Sequence, residues 1–210
     1  MKKILVFLLL VFVLTSWFFI SNRSGKSHLS TKPTKITLVS RSGKELSLIV
    51  PECTVSATPN IRKKEEFIRL DGKWIFDDKT ARLACGDMNE SIVISPTESK
   101  PTAVFTLERR ISNKSWRLVL DTDAYKIYRE KALENGKLQD NMEIVSFAGK
   151  NNYSSYVRYL ISTPTPHWGT GQIDDHFEFR YLIHSAPMKP EKIISRDAKI
   201  SEYVNSLIRK

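Results

Sequence analysis

One thirteen-residue stretch concentrates the side chains able to do chemistry: Pro164-Thr165-Pro166-His167-Trp168-Gly169-Thr170-Gly171-Gln172-Ile173-Asp174-Asp175-His176. An imidazole near carboxylates can move a proton, so His167 with Asp174 or Asp175 is a candidate acid/base set. An indole held out on a loop is a binding anchor, so Trp168 is a candidate contact for a protein partner. The bland alternative is that Trp168 folds back onto a sheet edge while the two acids solvate a turn. Partner binding requires only that His167, Trp168, Asp174 and Asp175 be presented together. Catalysis requires also a nucleophile or an orienting third group, and the segment supplies neither.

Other chemistry has no signature here. The chain lacks G-x-S-x-G, a Walker A loop, a dinucleotide G-x-G-x-x-G and H-E-x-x-H. Of the four histidines, His28 precedes the folded region, and His176 and His184 are eight strand residues apart. At about 3.3 Å per residue that is roughly 26 Å, too far to share a metal. No catalytic residue, cofactor or metal ligand is assigned from the sequence.

The candidate segment is read as a loop because two strong strand patterns flank it, over residues 153–162 and 176–185. It is too long for a tight hairpin, its prolines stiffen it, and Gly169 and Gly171 would let it turn. The second flanking strand alternates cleanly. Phe177, Phe179, Tyr181 and Ile183 form an apolar face, and His176, Glu178, Arg180, Leu182 and His184 a solvated one.

Further strands are predicted over 36–39 and 46–50, joined as a hairpin through Arg41-Ser42-Gly43-Lys44. Residues 67–70 and 73–76 flank Asp71-Gly72, a dipeptide suited to a type I′ turn. More strands fall at 80–84, 91–95, 102–108, 116–120 and 142–148. Two helices are expected. One covers 122–135, capped by Asp121 or Thr122 and stopped by Gly136. The other covers 195–209, with Ser195 as N-cap, Asp197 in the first turn and Ile200, Tyr203, Val204, Leu207 and Ile208 on one face. The fold class is therefore α+β, a mostly antiparallel sheet with two helices.

Compartment and charge frame these elements. Met1-Lys2-Lys3 precedes seventeen uncharged residues, Ile4–Ile20. That run is longer than the signal-peptide core of about 7–15 residues, and no A-x-A site follows it. Residues 1–20 are a signal anchor, with a cleaved signal as the alternative. Residues 21–35 are a basic flexible tether, and 36–210 a single domain. The short basic start places the anchor in the inner membrane and the domain in the periplasm; cleavage would leave it periplasmic or secreted. No cysteine stands near the leader for acylation.

The net charge is +10, but six of the 33 basic residues lie in residues 1–35, which hold no acidic one, leaving 27 basic against 23 acidic residues. Arg23, Lys26, Lys32 and Lys35 suit anionic lipid headgroups, and nucleic acid is not expected as a partner. In an exported domain Cys53 and Cys85 are expected to form a disulfide. The reading that follows is a membrane-tethered, non-enzymatic protein-binding domain of the bacterial envelope, accessory or immunity/inhibitor-type. The alternatives are an envelope hydrolase around His167, Asp174 and Asp175, and a structural protein touching lipid through its tether.

Overall fold

A computed structural model describes residues 32–56, 67–86, 89–97, 107, 112, 116–134, 137–149, 153–161, 165–185 and 188–209. The apolar run Ile4–Ile20, Arg23, Lys26 and the predicted strand 102–108, apart from Leu107, lie outside the described residues. Among the described residues no helix is long and apolar enough to cross a membrane.

Strands β1 (Pro33–Val39) and β2 (Glu45–Pro51) form the predicted hairpin. Proline can open a strand because no ladder N–H is asked of it there. Thus β1 begins inside the segment read as tether, and Lys35 pairs with Ile49. The other strands are β3 (Ile68–Phe76), β4 (Ala81–Ala84), β5 (Glu90–Pro96), β6 (Trp116–Asp121), β7 (Tyr125–Glu134), β8 (Lys137–Ala148), β9 (Ser154–Leu160), β10 (Thr165–Gln172) and β11 (Phe177–Ser185). They build one nine-stranded sheet in the order β4-β3-β5-β11-β10-β9-β8-β7-β6. Every pairing in it is antiparallel. The long helix among the described residues, α1, spans Pro190–Leu207.

The hairpin and α1 share a core with one face of the large sheet. Leu38, Leu48 and Val50 meet Ile68, Leu70, Ile92, Ile94, Phe177 and Phe179 there, all buried. From α1 come Ile200, Val204 and Leu207 of the expected face, joined by Ile193, while Tyr203 is partly buried and Ile208 is the C-cap. A smaller cluster, Trp116, Ile144 and Tyr156, lies apart from it. At the sheet edge Leu118, Val119 and Leu120 are exposed, and a register shift between Leu118 and Leu120 interrupts the ladder. Such an edge irregularity works against open-ended strand addition.

Three elements differ from the sequence reading. The helix expected over 122–135 is β7, paired along its length with β8 and over Lys126–Glu130 with β6. Tyr125 and Ile127 lie opposite Phe147 and Val145, while Tyr128 lies opposite Ile144. The rough helical spacing therefore also serves a two-sided strand, and pairing on both edges outweighs a weak local preference. The fold accordingly has one of the two expected helices. Asp71-Gly72 is not a turn but the middle of β3. Gly72 has no side chain because the Ala84 carbonyl and the Leu83 side chain press against it, and Asp71 pairs with Arg69 at 2.8 Å. Helix α1 starts at Pro190 with Lys189 as N-cap, so Ser195 and Asp197 stand inside it rather than at its start.

Cys53 and Cys85 are disulfide-bonded, with their Cα atoms 5.7 Å apart. The bond ties the 3-10 turn Glu52–Thr54 to the end of β4. Loop closure of this length is worth about 3 kcal/mol in chain-entropy models.

Candidate functional site

The segment read as a loop is mostly strand. β10 runs through Thr165–Gln172 and pairs with β11 along eight positions and with β9 at Trp168, Gly169 and Thr170. Gly169 and Gly171 do not turn the chain. A Cβ at Gly169 would collide with the Tyr181 ring, and one at Gly171 with the Phe179 ring. The two glycines sit directly opposite those aromatics and leave room for their rings to lie across the strand.

Because β10 is extended, His167 and Trp168 point to opposite faces. His167 turns toward the side of α1 and is 2% exposed. Its ring stacks on Tyr159, centroids 5.0 Å apart, and the Ser185 hydroxyl lies 3.4 Å from Nδ1 and from Nε2. Burial pulls its pKa down to about 4, with the nearby Arg196 charge adding to the effect. The imidazole is therefore neutral at neutral pH and enclosed.

Asp174 and Asp175 lie at the other end of β10. Asp174 Oδ1 accepts the backbone N–H groups of His176 at 2.7 Å and Phe177 at 2.9 Å, which closes the β10–β11 turn. Asp175 accepts the Tyr153 hydroxyl at 3.1 Å, and its carbonyl accepts the Thr97 hydroxyl at 2.9 Å. Between His167 and Gln172 the strand spans about 17 Å. The structure thus brings neither carboxylate to the imidazole, and the acid/base set of the alternative hydrolase reading is not assembled.

Trp168 occupies the face turned away from α1 and is half-buried. Its direct cross-strand neighbours are Arg158 on β9 and Leu182 on β11. The Arg158 guanidinium carbon stands 4.8 Å from the indole centroid, a cation–π contact. A row Arg158–Trp168–Leu182 thereby crosses three adjacent strands in the middle of the sheet. Beside it, Arg180 is exposed and bonds Glu178 at 2.8 Å. Glu178, expected on a solvated face, is 1% exposed.

Sequence reasoning missed three acidic side chains built into the interior. Glu143 takes Arg129 Nε at 2.8 Å and the Tyr159 hydroxyl. Asp197 accepts the Tyr181 hydroxyl at 2.7 Å, and burial lifts its pKa to about 7. Glu90 accepts the backbone N–H of Trp74 at 2.6 Å and that of His184 at 2.9 Å, joining two strands that flank it. A signal existed for two of them. Glu143 has the same strand parity as Val145 and Phe147, and Asp197 lies on the helical face of Ile193 and Ile200. Among the described residues no group of three His, Cys, Asp or Glu side chains converges to hold a metal ion.

No protein-family model matches the chain, and no curated sequence matches it. In fold it is similar to a solved structure, the iron-regulated outer membrane lipoprotein FrpD of Neisseria meningitidis. The TM-score is 0.55 over 87% of this chain and 95% of that one, at 10% sequence identity. At that identity the likeness is one of fold: a mostly antiparallel sheet with a helix.

Proposed function

We propose that this chain is a membrane-tethered, non-enzymatic protein-binding domain of the bacterial envelope, working as an accessory or inhibitor-type partner of another protein. The observation that carries the reading is the Arg158–Trp168–Leu182 row on the face opposite α1. Tryptophan and arginine are the side chains most enriched where binding energy concentrates, and a rigid central strand presents them without ordering a loop. Of the side chains first considered, Trp168 keeps its candidate role at the interface. His167 is enclosed, and Asp174 and Asp175 support the turn.

The compartment rests on other support. The apolar leader Ile4–Ile20 reads as an inner-membrane anchor, and the basic residues after it suit anionic headgroups. The Cys53–Cys85 disulfide belongs in an oxidising compartment. The fold likeness is to an envelope lipoprotein, yet both cysteines here are used in the disulfide, so a different attachment is needed. A tether also raises the effective concentration of a binder at the membrane.

The test is a pull-down of envelope extract with the full chain in detergent, repeated with Trp168→Ala. A stoichiometric protein partner, released at least about tenfold more readily by the variant, supports the reading. Turnover of envelope-derived substrates by the purified chain, or a partner held equally well by Trp168→Ala, would sink it. A reporter active only outside the cytoplasm, fused after Lys210, checks the compartment.

A further inference from the structure

A cleft of about 410 Å³ opens on the α1 side of the sheet, where β5 begins and β11 ends. Its volume falls within the range of small-ligand sites, about 300–1,000 Å³. One wall is apolar, formed by Trp74, Phe76 and Ile183. Against Phe76 lies Arg196 from α1, which also lines the cleft, as does Lys73.

Arg196 is unusual in how little it is used. It is half-buried, and among the described residues it makes no ion pair and no hydrogen bond. Its guanidinium lies over the Phe76 ring, 4.5 Å from the centroid. Stacking on a ring fixes the plane of the guanidinium while leaving its N–H donors unspent. The neighbours Ile193, Asp197 and Ile200 are buried in the core, so the helix backbone that carries Arg196 is anchored. Burial lowers the pKa of Arg196, with Tyr181 and Glu90 opposing the shift. A cation in that setting lacks a counter-charge in contact.

Glu90 is the acidic side chain of this cleft, and its role is already taken. Oε2 accepts the backbone N–H of Trp74 and Oε1 the backbone N–H of His184, so the carboxylate is committed to the strands on either side. Arg196 therefore leaves a positive charge at the cleft that Glu90 does not meet in contact. A planar, pre-oriented fork of donors matches a carboxylate in two-point contact, and the parts of Trp74, Phe76 and Ile183 that line the cleft offer an apolar contact beside it.

We propose that the cleft binds a small carboxylate with a flat apolar body, its carboxylate forked on Arg196 and its body against Trp74 and Phe76. The site lies on the opposite side of the sheet from Trp168 and does not depend on the protein-binding reading.

Benzoate is the simplest probe, titrated calorimetrically into the full chain in detergent, with inorganic phosphate in parallel. Saturable benzoate binding is expected, with phosphate at least tenfold weaker. Arg196→Gln should weaken benzoate at least tenfold, and Arg196→Lys several-fold, because lysine keeps the charge but not the fork. Should Arg196→Gln fail to fold by circular dichroism, Arg196→Lys still decides, with the several-fold loss expected. Trp168→Ala should leave benzoate binding unchanged. The proposal is overturned by an absence of saturable benzoate binding, by phosphate binding as tightly as benzoate, or by folded variants that bind benzoate like the parent.

Discussion

His167 and Trp168 are consecutive residues of one strand, yet they live in different solvents. His167 is stacked, enclosed and held neutral on the α1 side. Trp168 is half-buried on the other side, bracketed by Arg158 and Leu182. A period of two separates them completely. The α1 side encloses buried ionisable groups within dense apolar packing, so changes there are felt as stability. On the Trp168 side the residues Arg158, Trp168 and Leu182 are half-buried, so changes there should be felt in recognition.

The largest effect is expected from filling the space that Gly169 leaves on the α1 side. Gly169→Val must displace the Tyr181 ring and with it the bond to Asp197. Overpacking combined with a lost buried hydrogen bond should cost about 3 kcal/mol or more, read as a lower urea midpoint. A midpoint close to the parent's would mean that the face is looser than its packing suggests.

A second effect comes from pH. His167 has its pKa lowered to about 4 in the fold, against an ordinary value of 6.5. Its contribution is complete above 6.5 and is lost as the pH falls toward 4, because the unfolded chain takes up the proton first. Asp197 has its pKa raised to about 7 from an ordinary 3.8. Its contribution is complete below 3.8 and is lost as the pH rises toward 7. The two slopes have opposite signs across nearly the same window, so the parent should show a shallow profile there. His167→Phe should unmask a stability that falls with rising pH, by about 1 kcal/mol per unit. Asp197→Asn should unmask one that rises with pH by a similar amount. Parallel profiles for the two variants would refute the assignment.

The smallest stability effect belongs to the Trp168 side. Trp168→Ala removes a half-buried ring in contact with Arg158, and its unfolding free energy should fall by no more than about 1 kcal/mol. Arg158→Ala should cost less still, about 0.5 kcal/mol, the value of a partly exposed cation–π contact. If Trp168→Ala instead lowers the midpoint as far as Gly169→Val, the indole is a packing residue and the contrast between the faces disappears.

How much was legible in the chain depended on how local the cause was. The alternation of β11 placed Phe177, Phe179, Tyr181 and Ile183 in the core, as the structure has them. The β1–β2 hairpin, the apolar face of α1 and the Cys53–Cys85 bond were likewise legible, because each follows from residues near in sequence or from a pair with no competitor. The candidate site was legible only as a list of side chains. Their assignment to one loop failed because Gly169 and Gly171 are explained by rings on the next strand, not by a turn.

By itself the sequence determined the strand-rich class, the disulfide and which side of β11 is apolar, since period and composition are properties of the chain alone. Tertiary structure alone decided that 125–134 is a strand, that Asp71-Gly72 continues one, and that Arg196 meets Phe76 beside Glu90. Each of these depends on a partner brought from elsewhere in the chain: β6 and β8 for the first, Ala84 for the second, and the Arg196 of α1 laid over Phe76 of β3 for the third. A local pattern cannot specify a neighbour that only the folded sheet supplies.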